Sequence, residues 1–462
     1  MFRKKITSLV LLALLFSGFG CGNNEAAVAS APVKLTIWGV FDDASNYKSV
    51  IAAYRVVHPN VSIDFREFRY DEYEKELVRG IAEGKGPDIF LVHNTWMERY
   101  KSLMEPMPAT VTIGYQEVRG SIKKEVVDVL RTENTLSERA LKSDFVDVVA
   151  SDVIRPYQPD DKTAPTNRIF GLPAGLDTLV LFWNKDLFNA AGIAGAPTTW
   201  TAFQDAVTKL TKVDKDGKIV QAGAGIGTSK NVERATDILS LLMLQNGTEM
   251  VSADGRTATL DKVPKTGGVA GVLPGLDATR FYTDFANPTK AVYTWNADQS
   301  NSFDAFVNGT SAMFFGYAYD LPLIRTSSAK LNFAVAQVPQ IDGGRQANFA
   351  NYWIMTVSKD SKYDDWAWDF IESLTHDEKQ NASYLAAARK PPALRALISS
   401  QLEDEDLNAF ASEVLTADSW YHGTDIAAAE SALSELLDSV LSGSVVSTDA
   451  IKLAAQKIGQ TL

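Results

Sequence analysis

Between residues 33 and 92 the hydrophobic pattern alternates between the period of a strand and the period of a helix, and this constrains the fold more than any other feature. Apolar residues two apart predict strands, and apolar residues three or four apart predict helices. The strand patterns occupy residues 33–40, 61–65 and 88–92, and the helix patterns occupy residues 47–57 and 71–83. Strand, helix, strand, helix, strand predicts a parallel sheet covered by helices, so we expect an α/β lobe here.

A second α/β pattern begins near residue 179, and the chain of 462 residues is long enough for more than one compact unit. Residues 352–357 and 364–374 look like a return to the first lobe. Residues 104–165 have weaker periodicity, from which we predict helices over 122–131 and 136–149. We interpret residues 105–165 as a lobe insertion that shapes the rim of a cleft.

The first 21 residues differ in kind from the rest. Three positive charges precede an apolar run over residues 6–16 and small residues (SGFG) lead to Cys21, the only cysteine of the chain. This pattern predicts a signal peptide over residues 1–20. The residues before Cys21 resemble a bacterial lipobox, which implies a lipid on Cys21, a flexible tether over residues 21–32, and a protein held on the outer side of the bacterial cell membrane.

Composition and motifs exclude several classes of function. A net charge of −12 argues against a nucleic-acid partner, because the chain would repel phosphates. The four histidines lack metal-ligand spacing, and no GxSxG motif is present. The glycines of residues 223–230 do not have the spacing of a phosphate-binding loop. We therefore expect no metal, no cofactor and no enzymatic activity.

Aromatic residues with polar neighbours carry most of the information about a ligand. Trp295, for example, is followed by Asn296 and Asp298. A pyranose ring stacks its C–H face on an aromatic ring and directs hydroxyl groups to carboxylates and amides. The aromatic residues in such surroundings are Trp38, Phe41, Trp96, Trp295, Tyr317, Tyr319, Tyr352, Trp353, Trp420 and Tyr421.

Several phrases together resemble one family, the extracellular solute-binding proteins of family 1, which includes maltose-binding protein. The most specific match is IFGLPAGLDTLVLFWNKDLFNAAGI followed by PTTWTAFQDAVTKL. The other matching phrases are LTIWG, HPNVSIDF, KGPDIFLVHNTWMERY, FVNGTSAMFFGYAYDL and NYWIMTVSKDSKYDDWAWDFIESL. The resemblance extends from about residue 35 to about residue 398.

The resemblance implies a two-lobe periplasmic-binding-protein fold of type II, with a ligand cleft between lobes joined by hinge segments. We expect one lobe from residues 33–148 and 348–404, and the other from residues 149–347 and 405–462. Carried over by position, the residues expected at the cleft are Asp42, Asp43, Asn94, Trp96, Asp177, Tyr317, Tyr319, Trp353 and Trp420. Trp295 joins them as a ligand-binding candidate because of its polar neighbours.

The function implied is the binding of a sugar or oligosaccharide by cleft closure and its delivery to the permease of an ABC importer, by a protein that we expect to be a monomer. Alternatives stay open at this point. A polyamine or another solute could bind to the same fold, since the chain is acidic. The partner could also be a sensor kinase instead of a permease. A lipoprotein enzyme acting on glycans is the alternative from a different class.

Asp177 lies just before the apolar strand predicted at residues 179–183, where a carboxylate is costly unless a partner satisfies it. Two interpretations are open. Asp177 could accept backbone N–H groups at the start of the strand, or it could bind a ligand hydroxyl at the cleft. If the second holds, Asp177→Ala weakens ligand binding and leaves the ligand-free fold nearly normal.

Overall fold

The computed structural model describes residues 22–462. The predicted signal peptide and the predicted lipidation at Cys21 lie outside the described residues. The prediction of a flexible tether is wrong for residues 22–29, which form a helix that packs against a hairpin of the first lobe. Among residues 22–462, no helix is both long enough and apolar enough to cross a membrane.

The first part of the chain alternates helices and strands as far as residue 169. Its elements are α1 (Gly22–Ala29), β1 (Val33–Gly39), α2 (Lys48–Val57), β2 (Val61–Glu67), α3 (Tyr70–Ala82), β3 (Ile89–His93), α4 (Met97–Tyr100), β4 (Met104–Glu105), β5 (Thr110–Arg119), β6 (Glu125–Asn134), α5 (Glu138–Asp144), α6 (Asp147–Val153), β7 (Ile154–Tyr157) and β8 (Thr166–Ile169).

The middle part begins at Asp177. Its elements are β9 (Asp177–Thr178), β10 (Val180–Asn184), α7 (Lys185–Ala190), α8 (Trp200–Leu210), β11 (Lys212–Val213), β12 (Ile219–Gln221), α9 (Ala235–Gln245), α10 (Pro274–Asp284), α11 (Ser302–Val307), β13 (Met313–Gly316), α12 (Asp320–Ser327) and β14 (Phe333–Ala336). The last part contains β15 (Asn348–Asn351), β16 (Trp353–Ser358), α13 (Asp364–Thr375), α14 (Glu378–Ala388), α15 (Arg395–Gln401), α16 (Asn408–Glu413), β17 (Ala417–Asp418), α17 (Ile426–Ser442) and α18 (Ser447–Gly459).

The first lobe is built on a five-stranded sheet with the order β2-β1-β3-β16-β4. Strand β1 runs parallel to β2 and β3, as the alternation predicts, whereas β16 joins antiparallel to β3. Leu35 and Ile37 are fully buried on one face of β1, because residues two apart point to the same side of a strand. The return of the chain at residue 353 therefore completes the first sheet.

The second lobe has a three-stranded antiparallel sheet with the order β13-β10-β14. Alternate residues of β10 are buried in different clusters: Leu181 packs with α8 and α9, and Phe182 packs with α16. Both faces of this sheet are thus covered, which accounts for the continuous apolar run that the sequence shows here.

Three crossings connect the lobes, and the strands at the crossings form one small sheet with the order β17-β15-β9. The buried clusters change from the first lobe to the second between Leu176 and Leu179, and back between Phe349 and Ala350. The predicted boundary at residue 149 disagrees with this packing. Residues 149–176 contribute Val149, among others, to the first core, because side chains of α6 and β8 belong to the same buried cluster as those of the first sheet.

The predictions for residues 105–165 also need correction. The predicted helix over 122–131 is wrong, because residues 125–134 form β6, which pairs with β5 over ten residues. The alternating valines of EVVDV favour a strand, and Gly120 adopts a φ of +96° in the tight turn between the strands. The predicted helix over 136–149 is divided between α5 and α6. None of these residues lines the cleft.

Candidate functional site

A cavity of about 480 Å³ lies where the two lobes meet, beside the three crossing strands. This volume is within the range of small-molecule sites in proteins. Its walls come from both lobes and from the helix α17. Its aromatic and charged lining residues include Phe41, Tyr70, Trp96, Asp177, Arg234, Tyr319, Trp353, Arg389, Lys390 and Glu430.

The wall from the first lobe is aromatic. Phe41 follows β1 and Trp96 follows β3, so both lie at the carboxyl edge of the parallel strands, and Trp353 begins the antiparallel β16 at the same edge. Phe41 stacks on Tyr70 with ring centroids 5.3 Å apart, and Trp96 meets Trp353 edge to face at 5.4 Å. Phe41 is 55% exposed, which leaves it available to a ligand.

One aromatic ring of the second lobe faces this wall. The Tyr319 ring lies nearly parallel to Phe41 at an interplanar angle of 15°, with the centroids 6.3 Å apart. Two nearly parallel rings from different lobes define a slot whose width depends on the angle between the lobes. A ligand group between these rings needs about 3.5–4 Å to each ring, so it would contact both lobes at once only after the slot widens.

Three residues other than glycine adopt a left-handed backbone among residues 22–462: Phe41, Arg234 and Arg389. All three line the cavity. This conformation costs of order 1 kcal/mol or more for each such residue and persists where the surrounding structure enforces it. Because all three left-handed residues lie at one cavity, we infer that the directions of their side chains are maintained there at a cost in stability.

Behind the aromatic wall lies a buried polar network around Asp42. Asp42 accepts hydrogen bonds from Tyr47 at 3.0 Å, from Lys390 at 3.0 Å and from Tyr384, and also from Asn46 at 2.6 Å. Burial opposes the charge of Asp42, but Lys390 and these donors outweigh it, so its pKa lies below the usual value. The network is fully satisfied without a ligand.

Asp177 lies in the wall at the first crossing, where β9 pairs with β15. One carboxylate oxygen accepts the N–H of Thr178 at 2.9 Å, and the other accepts the N–H of Ala318 in the second lobe at 2.9 Å. Burial nevertheless raises the pKa of Asp177 to about 8. Both sequence interpretations therefore meet in one residue, which accepts backbone N–H groups and also faces the cavity.

This geometry changes the test suggested by the sequence. Asp177→Ala would leave two backbone N–H groups without acceptors, at a cost of about 1–3 kcal/mol for each buried group. The ligand-free protein would then be destabilised along with any loss of binding. Asp177→Asn is the better variant, since it keeps the shape and one acceptor oxygen.

Two further charged groups of the wall, Arg234 and Glu430, come from the second lobe. Arg234 pairs with Asp237 at 2.6 Å, and Asp237 also accepts the Tyr317 hydroxyl at 2.7 Å. Glu430 of α17 has no cation within ion-pair distance in the part of the chain that the structure describes. Burial raises its pKa to about 7, with a further contribution from Asp237.

The structure brings four of the ten predicted ligand-binding residues to the cavity: Trp96, Asp177, Tyr319 and Trp353. Asp42 lies directly behind the wall and holds Lys390 there. The other five are not in the wall, and they are Asp43, Asn94, Trp295, Tyr317 and Trp420.

A local structural contact explains why each of these five residues lies outside the cavity wall. Asp43 faces outward and caps a turn by accepting the N–H of Ser45. Asn94 is buried and donates to Asp152. The indole N–H groups of Trp295 and Trp420 donate to Asn231 and Ser240 inside the second core, and Tyr317 is buried against Asp237.

Sequence reasoning missed Tyr70, Arg234, Arg389, Lys390 and Glu430 as wall residues, and it noted Phe41 only as an aromatic residue at a strand end. Phe41 and Tyr70 lie at the ends of predicted elements, which is the signal that could have selected them. Arg234 and Glu430 are 196 residues apart in the sequence and belong to different helices, so no spacing connects them.

Comparison with known families gives a match over most of the chain. The model that describes bacterial extracellular solute-binding proteins matches residues 49–407. The galactooligosaccharide-binding protein of Bacillus subtilis is 21% identical over 401 residues, which cover 86% of this chain and 82% of that protein.

Solved structures match the fold. The binding protein for cyclic α-maltosyl-1,6-maltose from Arthrobacter globiformis is 17% identical, with a TM-score of 0.69 over 93% of this chain and 99% of that one. An ABC transporter solute-binding protein of Thermotoga lettingae, solved with α-D-tagatose, is 20% identical, with a TM-score of 0.63 over 93% and 99% of the chains. The predicted family resemblance and the predicted α/β fold of periplasmic binding proteins are confirmed.

Proposed function

The chain belongs to the family of bacterial extracellular solute-binding proteins, which bind solutes without converting them, and on this premise we propose that it captures a carbohydrate for an ABC importer. The sugar binds in the cavity between the lobes, the lobes close on it, and the closed form delivers it to the permease. The ligand-binding residues of this proposal are Trp96, Asp177, Tyr319 and Trp353, together with Phe41.

The observation that carries the proposal is the slot between Phe41 and Tyr319, with ring centroids 6.3 Å apart and one ring from each lobe. A pyranose presents apolar C–H groups on its faces and hydroxyl groups around its edge. Trp353 and Trp96 extend the apolar surface, and Asp177 and Glu430 offer carboxyl groups to the hydroxyls.

Closure follows from the division of the wall between the lobes. A ligand that contacts Phe41 on one lobe and Tyr319 on the other binds the closed state more tightly, so it shifts the population toward closure. A difference of about 5 kcal/mol in affinity between the states would convert a mostly open population into a mostly closed one. The crossing strands β9, β15 and β17 serve as the hinge in this proposal.

The ligands of relatives support a carbohydrate without identifying which one. The relative from Bacillus subtilis is named for galactooligosaccharides, and the matched structure from Arthrobacter globiformis is named for a cyclic maltosyl-maltose. Further matched structures contain maltotetraose or mannotriose. A cavity of about 480 Å³ accommodates a ligand of the size of a small oligosaccharide.

The proposal includes a lipid anchor on Cys21 after removal of residues 1–20, and its support is the sequence of that segment. The test is metabolic labelling of the expressing bacterium with a palmitate analogue. Labelling of the wild-type protein that disappears in Cys21→Ser would support the anchor. Equal labelling of both, or an unlabelled wild-type protein in the culture medium, would contradict it.

Thermal unfolding of the mature protein against a panel of solutes tests the ligand class. Stabilisation by binding follows the ratio of ligand concentration to Kd, about 2.7 kcal/mol at a hundredfold excess over Kd. We expect an oligosaccharide to raise Tm and to lose this effect in Trp353→Ala. Stabilisation by a polyamine and by no sugar would overturn the carbohydrate proposal.

A cationic solute such as a polyamine is the second candidate, and one observation favours it. Within residues 22–462, Asp177 and Glu430 face the cavity without an ion-pair partner. An ammonium group could neutralise them and stack on the surrounding rings. Arg234, Arg389 and Lys390 in the same wall favour the neutral sugar, because they would repel a polycation.

A further inference from the structure

The hairpin of β5 and β6 stands out from the first lobe at its outer end. Its base is fixed to the body, since the Thr112 N–H donates to Asp365 at 2.9 Å and Val111 and Ile113 are buried. Beyond this base the hairpin leaves the core. Every residue from 118 to 126 is exposed, so the end of the hairpin forms a projection with no contact to either core.

The projecting end carries aliphatic side chains that have no function in the fold. Val118 and Val126 lie directly opposite each other across the two strands, on one face of the hairpin. They are 64% and 61% exposed, and Ile122 in the turn is 100% exposed. Three aliphatic side chains at one solvent-exposed tip are an unfavourable arrangement for a monomer in water, and such patches mark interaction surfaces.

Cations accompany these side chains. Lys123 and Lys124 follow Ile122 in the turn and make no ion pair within the described part of the chain, while Arg119 pairs with Glu117 at 3.0 Å. The chain as a whole has a net charge of −12, whereas the unpaired lysines make the aliphatic tip locally positive. Aliphatic groups flanked by lysines fit the boundary between anionic headgroups and acyl chains of a bilayer.

The N-terminal helix packs on the hairpin that carries this tip. The helix α1 packs against both strands of the hairpin, and a Cβ on Gly114 would lie 2.0 Å from the Ala29 oxygen. Side chains four apart on a strand point to the same face, so Val118 shares the face that α1 covers at Gly114. Helix α1 begins at Gly22, the residue that follows Cys21.

From these observations we propose that the tip of this hairpin, residues 118–126, is a contact surface for an anionic lipid bilayer. Val118, Ile122 and Val126 enter the interface between headgroups and acyl chains, and Lys123 and Lys124 lie among the phosphates. The proposal is independent of the solute, because no residue of the hairpin lines the cavity.

Such a contact would fix how an anchored protein faces its membrane. A tip of three aliphatic side chains binds a bilayer only weakly by itself, but an anchor beside it makes the second contact intramolecular and raises its effective concentration. Helix α1 connects the start of the described chain to the hairpin without a long free segment. One lobe would then lie against the membrane while the other stays free to move.

The experiment uses the chain from residue 22, which contains both cores complete and no cysteine, with an N-terminal hexahistidine segment bound to nickel-chelating lipids. The vesicles contain phosphatidylglycerol and phosphatidylethanolamine. An environment-sensitive fluorophore is attached to Ile122→Cys. The matched control is Val220→Cys, which lies in the β11–β12 hairpin of the second lobe, is 53% exposed in the wild type and follows Lys218 by two residues.

We expect a blue shift of the emission at position 122 and quenching by lipids with a spin label in the acyl chain, with no change at position 220. Adding K123E/K124E should weaken the interaction by more than tenfold, since each lysine near an anionic surface contributes about fivefold. An unchanged emission at 122, or equal shifts at 122 and 220, would overturn the proposal. A shift that requires a membrane protein in the vesicles would assign the tip to a protein partner and would also overturn it.

Discussion

The two walls of the cavity differ in how their polar groups are satisfied. Behind the aromatic wall of the first lobe, Asp42 is paired with Lys390 and receives hydroxyl donors, so this wall is complete without a ligand. Across from it, Asp177 and Glu430 have no paired cation among residues 22–462, and burial raises the pKa of both. The difference indicates that the first wall is a preorganised platform, whereas the second wall gains most from a bound solute.

Breaking the buried pair behind the first wall should have the largest effect. Lys390→Met leaves the carboxylate of Asp42 buried without its cation. We expect this to lower the free energy of unfolding by about 3–5 kcal/mol. Urea denaturation measures it. The control is Lys34→Met, which breaks a pair with Asp64 whose side chains are 65% and 64% exposed, and which should cost less than about 1 kcal/mol. Equal effects of the two variants would contradict a preorganised first wall.

Removing the platform itself should mainly affect the affinity for the ligand. Trp353→Ala removes a ring that packs against Trp96 at 5.4 Å, and we expect roughly 30–160-fold weaker binding from about 2–3 kcal/mol of lost apolar contact. Titration calorimetry with the most stabilising sugar measures it. Trp353→Phe should retain most of the affinity, and Trp183→Ala, outside the cavity wall, should leave affinity unchanged. An unaffected Trp353→Ala would exclude stacking at this wall.

Changes in the second wall should separate binding from stability. Glu430→Gln and Asp177→Asn remove a carboxyl group that faces the cavity, and we expect about tenfold weaker binding if the ligand donates to a carboxylate. The ligand-free protein should keep its stability or gain some in Glu430→Gln, because burying a charge is costly. Calorimetry and urea denaturation together measure both effects. A destabilised Glu430→Gln with normal affinity would make this residue structural.

The smallest effect is a dependence of stability on pH. Burial raises the pKa of Asp177 to about 8 and that of Glu413 and Glu430 to about 7, so the folded state holds protons that the unfolded state releases above about pH 4. Stability therefore falls as the pH rises to about 8. His93 acts in the opposite direction, but only below about pH 6.5, since burial lowers its pKa to about 4.

Thermal unfolding of the ligand-free protein between pH 6.5 and 8 isolates this decline. Glu413→Gln should reduce the slope, because Glu413 is buried and accepts hydrogen bonds from Val338 and Asn348. Asp449→Asn, which changes an exposed carboxyl group of α18, should leave the slope unchanged. A Tm that rises over this interval would contradict the assignment of protonated carboxyl groups to the second wall.

The sequence predicts the scaffold better than the site, for a physical reason. Strand and helix periods are local, so β1, α2, β2, α3 and β3 follow from residues 33–92 alone. The helix predicted over 122–131 is wrong because pairing with β5 decides the conformation of residues 125–134, and the hydrophobic period of one segment does not register that pairing. Likewise, Trp295 and Trp420 have polar neighbours in sequence, but packing directs both rings into the second core.

Site residues depend on contacts between distant parts of the chain. Asp42 is predicted to bind the ligand at the cleft, yet its partner Lys390 is 348 residues away and holds it behind the wall. Asp177 was selected with two roles open, and the structure supplies the backbone donors from Thr178 and Ala318 without removing it from the cavity. Patterns of residue type locate such groups, and only the fold tells which of them face the ligand.

The three crossings between the lobes also determine the order in which the protein can fold. The first core needs residues 33–176 together with β16 and α13, so it stays incomplete until more than 370 residues have been synthesised. A core whose parts are so far apart in the chain forms slowly, because long loops must close before their contacts contribute. A nascent chain of this design cannot complete its first lobe during most of its synthesis, and an incompletely folded chain is what a translocation channel accepts.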